Sequence, residues 1–124
     1  YKKIDNKLAE ALVRKFNETG SLTVVNNGSD ARLSGEVLDV QQIVMRENKL
    51  DRPASKRYVI TVRISFYDQV EQRYLVKDLE LSSQQSSSSS GLYNLDAGQT
   101  QQSAEDEAVD QLAAEILRRL IYRF

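Results

Sequence analysis

Apolar residues in this chain keep two rhythms, a helical period of about 3.6 at both ends and a period of about two between them. Ile4, Leu8, Ala11, Leu12 and Phe16 recur at helical spacing, with Lys7, Glu10, Arg14 and Lys15 on the rest of the cylinder. Gly20 follows as a stop signal, so the spacing predicts a helix over residues 4–18. At the other end Ala108, Leu112, Ile116, Leu120 and Phe124 form an apolar stripe, widened by Val109, Leu117 and Ile121. Ser103, or Thr100, caps this second helix. Glu105, Asp106 and Glu107 fill its first turn and Arg118, Arg119 and Arg123 its last turns, the signs that the helix dipole favours.

Between the helices the period is that of strands. Residues 22–25 read as a short strand, and Asn26-Asn27-Gly28-Ser29-Asp30 carries the Asn-Gly pair typical of a tight reversal. Ala31, Leu33, Gly35 and Val37 then alternate with Arg32, Ser34 and Glu36. Parity slips at Leu38 and Val40, which predicts a bulge near Leu38 in a strand that continues through Ile43 and Val44. Residues 45–57 read as a polar loop closed by Pro53, which cannot sit in a central strand. Over residues 57–67, Tyr58, Ile60, Val62, Ile64 and Phe66 share one face. A turn at 68–71 leads into a strand over 73–81, where Lys77 has the parity of Leu75, Leu79 and Leu81. Lys77 therefore snorkels at the sheet margin or is turned out by a bulge.

Residues 82–102 are Ser/Gln-rich, with five consecutive serines at Ser86 to Ser90. Such a composition buries too little apolar surface to offset the entropy of ordering, and predicts a flexible loop. The serines lack any nucleophile-elbow sequence and read as a linker. The order is helix, four strands, helix in a single domain, 1–124. Two amphipathic helices and one sheet bury their apolar faces by packing together. The expected class is α+β, a two-layer sandwich with both helices on one face of a mostly antiparallel sheet.

Composition narrows the function. The 124 residues contain neither Cys nor His, so thiol chemistry, sulfur ligands, the commonest general base and the commonest metal ligand are all missing. An enzyme would have to use Asp, Glu, Lys, Tyr or Ser alone, and we expect no catalysis, cofactor or metal. Seventeen basic against eighteen acidic side chains leave a net charge of −1, without the basic excess of a nucleic-acid binder. No apolar run reaches the ~20 residues of a transmembrane helix. The sequence holds no signal peptide and opens with Tyr1-Lys2-Lys3-Ile4 directly in a helical pattern, so we expect residues upstream to be cut away or disordered.

Several segments in this order resemble one family. Asp30-Ala31-Arg32-Leu33-Ser34-Gly35-Glu36-Val37 is similar to the aspartate-small-x-leucine-x-glycine-x-aliphatic strand of the LPS-assembly lipoprotein (LptE) family. Arg57-Tyr58-Val59-Ile60-Thr61-Val62 resembles that family's next strand. The loop Gly91-Leu92-Tyr93-Asn94-Leu95-Asp96-Ala97-Gly98, then Ala104 to Ala108, Leu112-Ala113 and Ile116 with a terminal aromatic, resembles its closing helix. Family members begin with a signal peptide, a lipidated cysteine and a first strand, none of which is in this sequence, and often close on Trp where this chain has Phe124. The resemblance implies a non-enzymatic protein on the periplasmic side of the outer membrane, held by an N-terminal lipid anchor outside this sequence. It would plug and support the β-barrel translocon LptD and contact lipopolysaccharide on its way to the cell surface. A cell-envelope module that binds another ligand or a peptide on its sheet face is the alternative.

The candidate ligand residues follow from charge. Arg46, Lys49, Arg52, Lys56 and Arg57 stand against only Glu47 and Asp51 in the polar segment. Arg and Lys recognise phosphates by charge-assisted hydrogen bonds, and lipopolysaccharide is phosphorylated. The resemblance places a ligand-contacting basic residue at the tip of this hairpin, with Arg46 the nearest match. The alternative is a solvated loop kept polar for solubility. Leu92 and Tyr93 are adjacent large apolar groups in the second half of the Ser/Gln-rich segment, which has no Lys or Arg. They either anchor a partner interface or pin the loop to its own domain.

Overall fold

The computed structural model describes residues 2–20, 28, 30–50, 53–85, 91–95 and 97–121. Helix α1 (Lys2–Thr19) leads into strands β1 (Ala31–Glu47), β2 (Pro53–Asp68) and β3 (Arg73–Ser82). A single 3-10 turn (Ser83–Gln85), strand β4 (Leu92–Asn94) and helix α2 (Gln101–Ile121) complete the chain. The short strand expected at 22–25, Asn26, Asn27 and Ser29 of the following turn, Arg52, the serines 86–90 and Phe124 lie outside the described residues.

Strand β2 is the spine of the sheet. β1 pairs with it antiparallel from Ala31–Asp68 to Glu47–Pro53. Its other edge is shared by β3, also antiparallel from Thr61 onward, and by β4 at Ser55 to Arg57. The expected α+β sandwich with an antiparallel sheet is the observed fold. The bulge foreseen near Leu38 is present as a register shift between Val37 and Asp39. Lys77 is turned out by a second irregularity, where Ile64 pairs with Leu79 but Phe66 pairs with Val76. Asp78 takes a φ of 51° there, its N–H bonded to Ser65 Oγ at 3.0 Å, and Val76 fills the core while Lys77 Nζ lies 5.2 Å from the Tyr74 ring centre.

Two expectations need correction. Residues 45–57 are not one loop: β1 continues to Glu47 and β2 already starts at Pro53, an end position where a missing N–H is tolerated. Nor is 82–102 structureless at its described residues. Where β3 ends, Ser83 is fully buried and its Oγ accepts the Ile60 N–H at 3.0 Å. Gly91 O then accepts from Tyr58 N, and Leu95 N donates to Ala54 O, both at 2.8 Å. The backbone groups along this edge of β2 are thus satisfied in turn by β3, Ser83, Gly91 and the β4 segment, as a buried strand requires.

The helices lie over the other side of the core. Ile4, Leu8, Ala11 and Phe16 of α1 and Ala104, Ala108, Leu112, Ile116 and Leu120 of α2 are buried against Tyr58, Ile60, Val62, Ile64 and Phe66 of β2. α2 starts at Gln101, with Thr100 rather than Ser103 as its cap, since Thr100 Oγ1 accepts the Ser103 N–H at 3.2 Å. The helices run in the same direction, tied by Lys7 to Asp106 at 2.9 Å and Arg14 to Asp110 at 2.6 Å. Buried Glu115 is held by Arg118 at 2.6 Å and Arg119 at 2.9 Å, and hydrogen bonding from Arg118 keeps its carboxyl below the usual carboxylate range. No helix among the described residues is long and apolar enough to cross a membrane.

Candidate site at the end of the β1–β2 hairpin

The last rows of the β1–β2 hairpin lie at one end of the core, and strand pairing decides which way each side chain points. Directly paired residues share a face. Val44, Lys56 and Tyr93 form one row on the helix side of the sheet. Ile43, Arg57 and Leu92 form the adjacent row on the side of the sheet away from the helices. A register shift between Val44 and Arg46 then brings Arg46 opposite Ser55, which also pairs with Asn94. Arg46 thereby joins Arg57 on the face away from the helices, and its Nη2 donates to Asn94 Oδ1 at 3.5 Å. Asn94 is steadied in turn by its own N–H, which donates to Gln99 Oε1 at 2.7 Å.

The five basic residues singled out in the sequence are therefore not one cluster. Arg46 and Arg57 share a face, half-buried Lys56 is on the opposite one, and exposed Lys49 sits in the turn at the tip. Asn48 shapes that turn by accepting the Leu50 N–H at 2.9 Å. Arg52 lies outside the described residues.

Leu92 and Tyr93 part company as well. Tyr93 belongs to the core at 3% exposure and donates its hydroxyl to Gln42 Oε1 at 2.5 Å. Burial pushes its phenol pKa up, so it remains a neutral donor. Its side chain pins β4 to this domain, one of the two roles that the sequence left open for it. Leu92 is 40% exposed and faces outward.

Sequence reading missed the apolar character of this end. Ile43, Val44, Met45, Leu50, Leu92 and Leu95 are all exposed there, Leu50 to 72%. Met45 and Leu50 inside an otherwise polar segment were the available signal. Cations interleaved with exposed apolar groups suit a ligand that is itself both anionic and apolar. The other prominent surface feature is a shallow depression along α1, lined by Ala9, Glu10, Val13, Arg14, Asn17 and Glu18. Among the described residues no His, Cys, Asp or Glu cluster could hold a metal ion.

The profile of the LptE (lipopolysaccharide-assembly) family matches residues 2–124. The chain belongs to the LptE family. No curated protein and no solved structure matches it. LptE proteins are non-enzymatic lipoproteins of the cell envelope that act in lipopolysaccharide transport and assembly at the outer membrane. A site without catalytic chemistry suits such a role, since handling an amphipathic lipid requires a surface rather than a nucleophile.

Proposed function

We propose that this LptE-family protein plugs and supports the outer-membrane barrel LptD and that its β1–β2 hairpin end contacts lipopolysaccharide during delivery to the surface. It works from the periplasmic face of the outer membrane, held there by an N-terminal lipid anchor. The observation that carries the ligand contact is the grouping of Arg46 and Arg57 on the sheet face away from the helices, beside exposed Ile43 and Leu92, with Lys49 at the tip. Guanidinium and ammonium groups recognise phosphates, and the apolar neighbours accommodate lipid.

Charge reversal provides the test. The double variant Arg46→Glu, Lys49→Glu should bind lipopolysaccharide at least tenfold more weakly than the parent at low salt. Its melting temperature should hardly move, because exposed charges contribute little to stability. The difference should shrink as salt rises, since screening acts over roughly a ~10 Å Debye length at ordinary ionic strength. Reversal at Glu10 or Glu18, exposed on α1, is the control and should leave binding intact. Equal binding by the double variant and the parent would remove the hairpin from the site and leave barrel plugging as the function.

A further inference from the structure

Methionine occurs once in the 124 residues, at Met45, and Cys and Trp are absent. The Met45 thioether is therefore the most readily oxidised side chain in the sequence. Met45 is also the extra residue of the second bulge in β1. Val44 pairs with Lys56 and Arg46 with Ser55, and Met45 between them has no Cα partner in β2. A core methionine fills gaps among its neighbours. Met45 instead is 49% exposed and shares the hairpin end with exposed Ile43, Val44 and Leu50. Its side chain is thus open to a small oxidant, in the surface where apolar groups stand among exposed Arg46 and Lys49.

We propose that Met45 is an oxidation site through which hypochlorous acid turns down lipid contact at the hairpin end. The sulfur lone pair forms the new S–O bond as the O–Cl bond breaks. Sulfur gives up two electrons, chlorine takes them and leaves as chloride, and the hydroxyl proton passes to water. The product, methionine sulfoxide, is polar where the thioether was apolar, and methionine sulfoxide reductases reverse the step. Its oxygen is a hydrogen-bond acceptor that water solvates, and an acyl chain laid against it would strip that water at a cost in affinity. Met45 is not a core residue, so the fold survives the change. This rests on the reading that the hairpin end meets lipopolysaccharide, and adds how that contact is regulated.

Binding of the whole chain to lipopolysaccharide, measured before and after treatment with one equivalent of hypochlorous acid, tests this. Mass spectrometry of the digested protein should place one added oxygen on the peptide that carries Met45. The oxidised parent should bind at least threefold more weakly, with a melting temperature that hardly moves. Methionine sulfoxide reductases acting on both sulfoxide epimers should restore its affinity. Met45→Leu keeps an apolar side chain without sulfur, so its affinity should be the same with and without oxidant. Met45→Gln carries a polar group permanently, and should bind several-fold more weakly than the parent with no oxidant added.

Unchanged affinity of the parent after Met45 has gained its oxygen overturns the proposal. So does a Met45 that gains none, or an equal loss of affinity in oxidised Met45→Leu, which would mark damage at another residue. If oxidation leaves binding intact while the Arg46, Lys49 double variant loses it, the switch is wrong and the hairpin reading stands. If that double variant binds like the parent, the hairpin reading fails and the proposal falls with it.

Discussion

Ile116→Ala or Leu112→Ala is expected to destabilise the protein by about 2–5 kcal/mol. Both side chains are fully buried on α2, where the apolar stripe meets the inner face of β2. Deleting their methyl groups removes apolar surface from the core and leaves a cavity that close-packed neighbours fill only in part. For a domain of this size the loss corresponds to a fall in melting temperature on the order of 10 °C or more. Val13→Ala on the outward side of α1, where Val13 is exposed, should cost under about 0.5 kcal/mol. Thermal unfolding followed by circular dichroism checks the pair. Unchanged melting in both core variants would place the core on another face of α2.

Gly91→Ala is expected to be nearly as damaging, for a backbone reason. Gly91 has a φ of 72°, in the left-handed region, and its carbonyl accepts the Tyr58 N–H at 2.8 Å. A Cβ at this position would overlap the Tyr58 carbonyl oxygen, which belongs to the central strand and cannot swing aside as a side-chain tip can. The left-handed conformation alone costs an alanine roughly 1–2 kcal/mol. Relieving the overlap requires β4 to move away from β2, so the total should reach about 3 kcal/mol. Gly98→Ala separates the two effects. Gly98 also has a positive φ, 76°, but a Cβ there meets nothing within 4 Å. It should show the conformational cost alone, about 1 kcal/mol. Equal melting temperatures for the two alanine variants would mean that the contact of Gly91 with Tyr58 is not what holds β4 in place.

Much of the fold was legible because one face of each long element is buried. The α2 stripe and the alternation along β2 announce themselves wherever a core selects apolar residues at every turn or every second position. The bulge after Val37 was visible for the same reason, as a break in that alternation. From Val44 to Glu47 the β1 side chains are exposed on both faces, so the alternation fades and a paired segment reads as a polar loop. The basic residues there were visible by type, but their faces were not. A single extra residue between Val44 and Arg46 puts Arg46 with Arg57 and apart from Lys56, and a one-residue slip is enough to exchange faces. Residues 82–102 misled through composition. Ser83 and Gly91 are small and polar or bare, the residue types of a linker, yet they are needed where another strand's backbone requires an acceptor at close range. Tyr93 could have pinned its own domain or met a partner, and only its partners in the fold, Gln42 and the core, decide for the former.

The central claim is that the hairpin end, and not the helix layer, touches lipopolysaccharide. Photocrosslinking in growing cells tests it most directly, with a benzoylphenylalanine placed in turn at Met45, Leu50 and Val13, all of which are exposed. Crosslinks to lipopolysaccharide from Met45 and Leu50, and none from Val13, are the predicted result. Crosslinks from Val13 with none from the hairpin positions would contradict it.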